Sequence, residues 1–155
     1  MNPDAAAKTI ALRLLSNAPK SRAKLVEAMT QRGVPADVAD RVLDRLQAVG
    51  LVDDAALAET LVRMCHTERG MSGPALAAEL RRRGVDEETA RSAMAEVSPE
   101  SEAERAKVLA ARKLAATRDL PHQTRLRRTY AMLGRKGYSA QTSRAAIAAA
   151  LSDEE

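Results

Sequence analysis

Apolar residues recur along this chain at intervals of three and four, broken at short turns, and the breaks themselves recur. Such spacing places apolar side chains on one face of an α-helix. It predicts nine helices in three groups: 4–17, 21–32 and 35–49; 53–67, 72–83 and 86–97; 99–117, 122–136 and 139–151. Three of the breaks share a glycine marker, at Gly33, Gly84 and Gly137, spaced 51 and 53 residues apart. Each glycine follows a basic residue (Arg32, Arg83, Lys136), precedes an apolar one (Val34, Val85, Tyr138), and has an apolar residue four positions before it (Met29, Leu80, Leu133). That pattern reads as a helix C-terminus: glycine takes the left-handed conformation that closes the helix, and the next apolar residue packs back. Basic side chains in the last turn complement the helix dipole. Two residues beyond each glycine stands a helix starter (Pro35, Asp86, Ser139), and ten beyond an apolar residue (Leu43, Met94, Ile147), so a second helix follows each marker.

The predicted first core is Leu12, Leu15, Leu25, Val26, Met29, Val42, Leu43 and Leu46; the second is Leu57, Leu61, Met64, Leu76, Leu80, Met94 and Val97. A unit of about 50 residues is too small to stand alone, so neighbours are expected to stack into an elongated, curved array. The expected architecture is all-α: three tandem three-helix repeats at 1–51, 52–98 and 99–151, with an acidic tail at 152–155.

Composition sharpens this. Of the apolar residues 32 are alanine, there is no Phe or Trp, and Val, Ile and Tyr number only 10, 2 and 2. Alanine leads the helix scale while strand-favouring residues are scarce, which predicts thin, close-packed helical cores. One cysteine excludes an internal disulfide and any multi-thiolate zinc site. The first residues lack the pattern of a secretion signal, and the longest apolar run, Ala145 to Leu151, is too short to span a bilayer. A cytoplasmic, membrane-free, monomeric protein is expected.

Charge is uneven. Residues 1–104 carry 14 basic and 17 acidic side chains, residues 105–152 carry 11 basic and one acidic, and the last three residues are all acidic. A surplus of that density attracts phosphate backbones or an acidic protein surface. The candidate contact residues are Arg81, Arg82 and Arg83 closing one helix, and Arg125, Arg127, Arg128, Arg135 and Lys136 on another. Arg125, Arg128 and Arg135, three and seven apart, are expected to share one face. Both tyrosines, Tyr130 and Tyr138, stand at core-like positions, so no aromatic stacking platform accompanies the basic face.

Candidate chemistry is sparse. Asp53 and Asp54 lie just ahead of a helical pattern, where carboxylates cap free amides, and no further acidic ligands stand at metal-binding spacing. Cys65 and His66 are adjacent, so on a helix they point about 100° apart and do not face each other. Ser72-Gly73-Pro74 reads as a helix cap and turn rather than a phosphate-cradling loop, and His122 as a helix-start residue. With no nucleophile, base and oxyanion set, no enzyme and no cofactor are expected.

Gly50-Leu51-Val52-Asp53-Asp54, then Ala58, Val62 and Gly70, then Glu79-Leu80-Arg81-Arg82-Arg83-Gly84-Val85, resembles the signature of the RecX family, and Leu133-Gly134-Arg135-Lys136-Gly137-Tyr138 resembles its C-terminal signature. The resemblance covers nearly the whole chain and implies three tandem three-helix repeats. It further implies a regulator that binds RecA and the RecA–DNA filament and restrains strand exchange, ATP turnover and co-protease activity, and so acts in DNA repair and the SOS response. Leu57 and Leu61 stand where the family usually carries aromatics, and Cys65 where it carries an arginine. Reversing Arg125, Arg128 and Arg135 to Glu is expected to weaken inhibition with little loss of fold. The rival reading is an autonomous helix-turn-helix-like module that holds DNA through its phosphate backbone.

Overall fold

The computed structural model describes residues 2–154, and every regular element among them is helical. The helices are α1 (Pro3–Asn17), α2 (Arg22–Gln31), α3 (Ala36–Ala48), α4 (Asp54–Leu61), α5 (Gly73–Arg82), α6 (Glu87–Ala93), α7 (Pro99–Ala116), α8 (His122–Arg135) and α9 (Ala140–Glu154); α4 continues into a π-helical segment, Val62–Glu68. Several starts are capped as the sequence predicts, while α3 and α8 begin after Pro35 and Pro121 with no side-chain cap. Ser21 and Ser72 accept from the amides of Lys24 and Ala75, and Asp86 and Ser139 from those of Thr89 and Thr142. Asp53 caps α4 through the Ala56 amide at 3.0 Å, while Asp54 reaches the Arg22 amide at the start of α2 at 2.9 Å. Both aspartates therefore satisfy free helix amides, one locally and one 32 residues away.

The three marker glycines end their helices identically. Gly33, Gly84 and Gly137 have φ of 85°, 84° and 96°, and the amides of Val34, Val85 and Tyr138 each donate to the carbonyl five residues back, on Met29, Leu80 and Leu133, at 3.0 Å. This is the Schellman closure, and its positive φ favours glycine.

The chain forms two compact units, Met1–Leu61 with Glu79–Ala93, and Val62–Ala78 with Met94–Glu155. In the first, α1 lays Ala7 and Ala11 against α3, and the core is completed by Leu25, Met29, Val38, Val42, Leu43 and Leu46. In the second, Ala106, Ala110 and Leu114 of α7, spaced by four, meet Ala146, Ile147 and Ala150 of α9. Alanine on these seams lets helix backbones approach closely, which is how a chain without Phe or Trp closes its cores.

Each unit contains a joint of one design. A Cβ on Gly84 would lie 2.5 Å from Oγ of Ser21, the cap of α2, and a Cβ on Gly137 would lie 2.5 Å from Oγ of Ser72, the cap of α5. The C-terminus of one marker helix thus abuts the capped N-terminus of an earlier one, an arrangement that sets opposite dipole ends together. A Cβ on Gly33 would meet nothing within 4 Å. The joint serine precedes its own helix's marker glycine by 12 residues in both cases; the residue at that place in α8 is Arg125, because α8 begins a turn earlier.

Several expectations are corrected. Leu12 is 39% exposed, because α1 turns its alanines to the core instead. Met64 is also 39% exposed, while Cys65 and His66 are buried. The π-helical segment is the cause: Arg69 bonds the Met64 carbonyl five residues back, and the wider turn moves the buried face on by one position. Helix α6 ends at Ala93, short of the expected Val97, and Met94 and Val97 are only partly buried. Tyr138 is buried, whereas Tyr130 is 37% exposed. Residues 152–154 are no separate tail but the last turn of α9.

Candidate functional site

The basic residues divide by what holds them. At the end of α5, Arg82 Nη2 and Arg83 Nε reach Oε1 of Glu79 at 2.6 and 3.0 Å. The Arg82 hydrogen bond, followed by that of Arg83, holds the Glu79 carboxyl below the usual carboxylate range against an opposing effect of burial. Arg81 is exposed and has no side-chain partner among the described residues.

On α8, Arg125 turns inward. Its Nη2 donates to the Leu114 carbonyl and to Glu154, both at 2.8 Å, and its side chain is 13% exposed. The expectation that it shares a free face with Arg128 and Arg135 is therefore corrected: the helical angle permits it, but acceptors on α7 and α9 take the guanidinium. Lys136 is likewise held, its Nζ donating to the Arg69 carbonyl at 2.5 Å, while its own carbonyl accepts from the Ser72 amide at 2.8 Å. Arg127, Arg128 and Arg135 remain exposed, with no hydrogen bond or ion pair from their side chains among the described residues. Exposed Ala131 and Gly134 lie on the same stretch of helix, beside half-exposed Tyr130, and a Cβ on Gly134 would meet nothing within 4 Å.

The second unit adds cations that helix spacing does not single out. Arg112, Arg118 and Arg144 are exposed and also lack side-chain partners among the described residues. The acidic end of the chain is spent locally, with Asp153 on Lys107 at 3.0 Å and Glu154 on Arg125. A surplus of positive charge thus stands free on this unit, with backbone-positioning chemistry and no aromatic platform beyond half-exposed Tyr130.

The Cys65–His66 pair is internal. His66 Nδ1 donates to the Met71 carbonyl at 2.7 Å and lies 3.9 Å from Glu102, which in turn accepts from the Gly73 amide. Tyr138 donates its hydroxyl to the Gly70 carbonyl at 2.9 Å. Burial, and then the negative charge of Glu102, pushes its phenol up to about 12, with Arg105 opposing. These groups brace the 62–72 segment and leave its glycine turn fixed. Leu57 and Leu61, the aliphatic substitutes at usually aromatic positions, are both buried.

Fold and surface together define an all-helical protein built from tandem three-helix units. Family models describe those units: the first, second and third three-helix domains of RecX match residues 7–46, 53–94 and 100–147. The chain belongs to the RecX family. A regulatory protein RecX from Thermobifida fusca is 51% identical over 136 residues, covering 88% of this chain and 74% of that one. One from Streptomyces coelicolor is 42% identical over 153 residues, covering 99% and 81%. The crystal structure of RecX from Lactobacillus salivarius shares the fold at a TM-score of 0.76 and 18% identity over 96% of each chain. A second crystal structure of a regulatory protein RecX matches at a TM-score of 0.71 and 25% identity, covering 92% of this chain and 71% of that one. The family name makes this a regulatory protein, and among the described residues no helix is long and apolar enough to cross a membrane.

Proposed function

We propose that this chain binds RecA and the RecA–DNA filament and restrains recombinase, ATPase and co-protease activity, and so tunes DNA repair and the SOS response from the cytoplasm. Membership of the RecX family supports the partner. The observation that carries the mode of contact is the set of unpaired arginines on α8. Arg127, Arg128 and Arg135 face solvent on α8, ready for DNA phosphates or acidic groups on the filament. Arg81, Arg82 and Arg83 extend the basic contact from the end of α5, the latter two shared with Glu79. Arg125 and Lys136 contribute from inside, holding α8 against its neighbours. The reading needs no catalytic group and no cofactor.

The test replaces Arg127, Arg128 and Arg135 by Glu, leaving Arg125 in place. Affinity for RecA–single-stranded DNA filaments should fall, and the slope of log affinity against log salt should flatten by about 2, as expected for three lost phosphate contacts on a single strand. Helical circular dichroism should be unchanged. Unaltered affinity and slope in the folded variant would refute the α8 contact. Equal affinity for DNA with and without RecA would instead identify a DNA-binding module acting alone.

A further inference from the structure

The first unit leaves three aliphatic side chains in water around one groove. Leu12 on α1 is 39% exposed, and Val49 and Leu51, on either side of Gly50, are 71% and 54% exposed. All three line a groove of about 530 Å³ whose wall includes Val42 and Leu46 of α3. Exposed apolar side chains are ordinary when scattered; converging on a cleft of this size, they mark an interaction site. They are also fixed in place. Gly50 has φ of 81°, and the Leu51 amide donates to the Leu46 carbonyl at 2.9 Å, so the α3 C-terminus closes as a rigid turn that holds Val49 and Leu51 out.

The charge around the groove has one sign to offer. Lys8 and Arg45 supply cations, and the one carboxylate among the described lining residues, Asp4, is already engaged by Arg41 at 3.0 Å and Arg45 at 3.5 Å. An incoming carboxylate meets Lys8 and the remaining donors of Arg45, whereas an incoming cation finds the lining acid Asp4 occupied. Among the described residues there is no strand, so no sheet edge is available to pair an extended peptide. A cleft between helices instead suits a helix presenting aliphatic anchors one turn apart. A second copy of this chain would set Lys8 and Arg45 against their own kind.

We infer that the α1–α3 groove docks an acidic amphipathic helix of another protein, its aliphatic anchors seated among Leu12, Val49 and Leu51 and its carboxylates beside Lys8 and Arg45. This docking is independent of the α8 arginines. The probe is a short acetylated helical peptide of Glu, Leu and Ala with leucines at i, i+3 and i+7, alongside counterparts carrying Lys for Glu and Ser for Leu. Added to the isotopically labelled full chain, the first should shift amide resonances centred on Leu12, Val49 and Leu51. The lysine peptide should bind about tenfold more weakly, and so should the serine peptide. The Val49→Ser/Leu51→Ser variant should lose about tenfold in affinity at a nearly unchanged urea midpoint, since these side chains are 71% and 54% exposed and lie beyond the end of α3. The variant with Arg127, Arg128 and Arg135 changed to Glu should keep full binding, which separates this inference from the RecA proposal. Shifts centred elsewhere, equal binding of the lysine peptide, or concentration-dependent self-association through this face would each overturn it.

Discussion

Arg125 and Arg128 stand three residues apart on one helix and have opposite fates. Arg128 is solvated and unpaired among the described residues, while Arg125 is a largely buried strut between the Leu114 carbonyl and Glu154. Arg125→Ala removes a mostly buried side chain and its bonds to the Leu114 carbonyl and to Glu154, and so should cost on the order of 1–3 kcal/mol in urea unfolding. Arg128→Ala should stay within about 0.5 kcal/mol. Equal effects would show that Arg125 is no strut. Sequence spacing could not separate the two, because the acceptors lie 11 and 29 positions away. Tyr138 offers a second test. Its phenol is raised in the fold from an ordinary 10.0 to about 12, so the folded state holds the proton more tightly than the unfolded chain. The resulting stabilisation is complete below pH 10 and is lost as pH rises towards 12. Tyr138→Phe should therefore flatten the alkaline fall in stability relative to the parent chain, while lowering stability near neutral pH by about 1 kcal/mol for the lost bond to Gly70. An identical alkaline slope in both proteins would contradict this assignment.

At the scale of elements, the three glycine markers look alike in sequence and differ in what surrounds them. All three require a left-handed backbone, so alanine at any of them carries a strain of about 1–2 kcal/mol. Gly84 and Gly137 carry an added penalty, because the new methyl would strike Ser21 or, at Gly137, both Ser72 and Ala75, whose Cβ would lie 2.6 Å away. Unfolding of the single alanine variants should rank Gly33→Ala as the mildest, with Gly84→Ala and Gly137→Ala each costing at least about 1 kcal/mol more. Equal costs would dismiss the joints as incidental approaches. The helices themselves were legible from periodicity, capping residues and glycine position, since those signals act within one turn of chain. Less legible were features whose cause is remote. Leu12 fits the apolar period of α1 yet faces water, because alanines on the same helix provide the closer approach to α3. Met64 follows the regular helical period that the π-helical turn interrupts. The serines that receive Gly84 and Gly137 lie 63 and 65 residues earlier, beyond any local pattern.

For the molecule as a whole, sequence symmetry and spatial grouping divide the chain differently. Three family domains succeed one another along the sequence, while the two compact units share the middle one: α4, α6 and the end of α5 belong to the first, and the π-helical segment and the start of α5 to the second. The middle repeat thus lends helices to both units, and its apolar faces are buried in each of them. The functional surface was only partly legible. Charge counting located the basic third, but it could not foresee that Asp153 and Glu154 would fold back on Lys107 and Arg125, or that exposed Arg112, Arg118 and Arg144 would remain unpaired among the described residues.

Regulation of RecA is tested most directly by adding the purified chain, in less than stoichiometric amount and at fixed salt, to preformed RecA filaments on single-stranded DNA while ATP hydrolysis is followed. Inhibition well below one chain per RecA is the predicted result, with the Arg127, Arg128 and Arg135 charge-reversal variant markedly weaker. Undiminished hydrolysis in the presence of the folded, helical protein, even at equal concentrations, would contradict it.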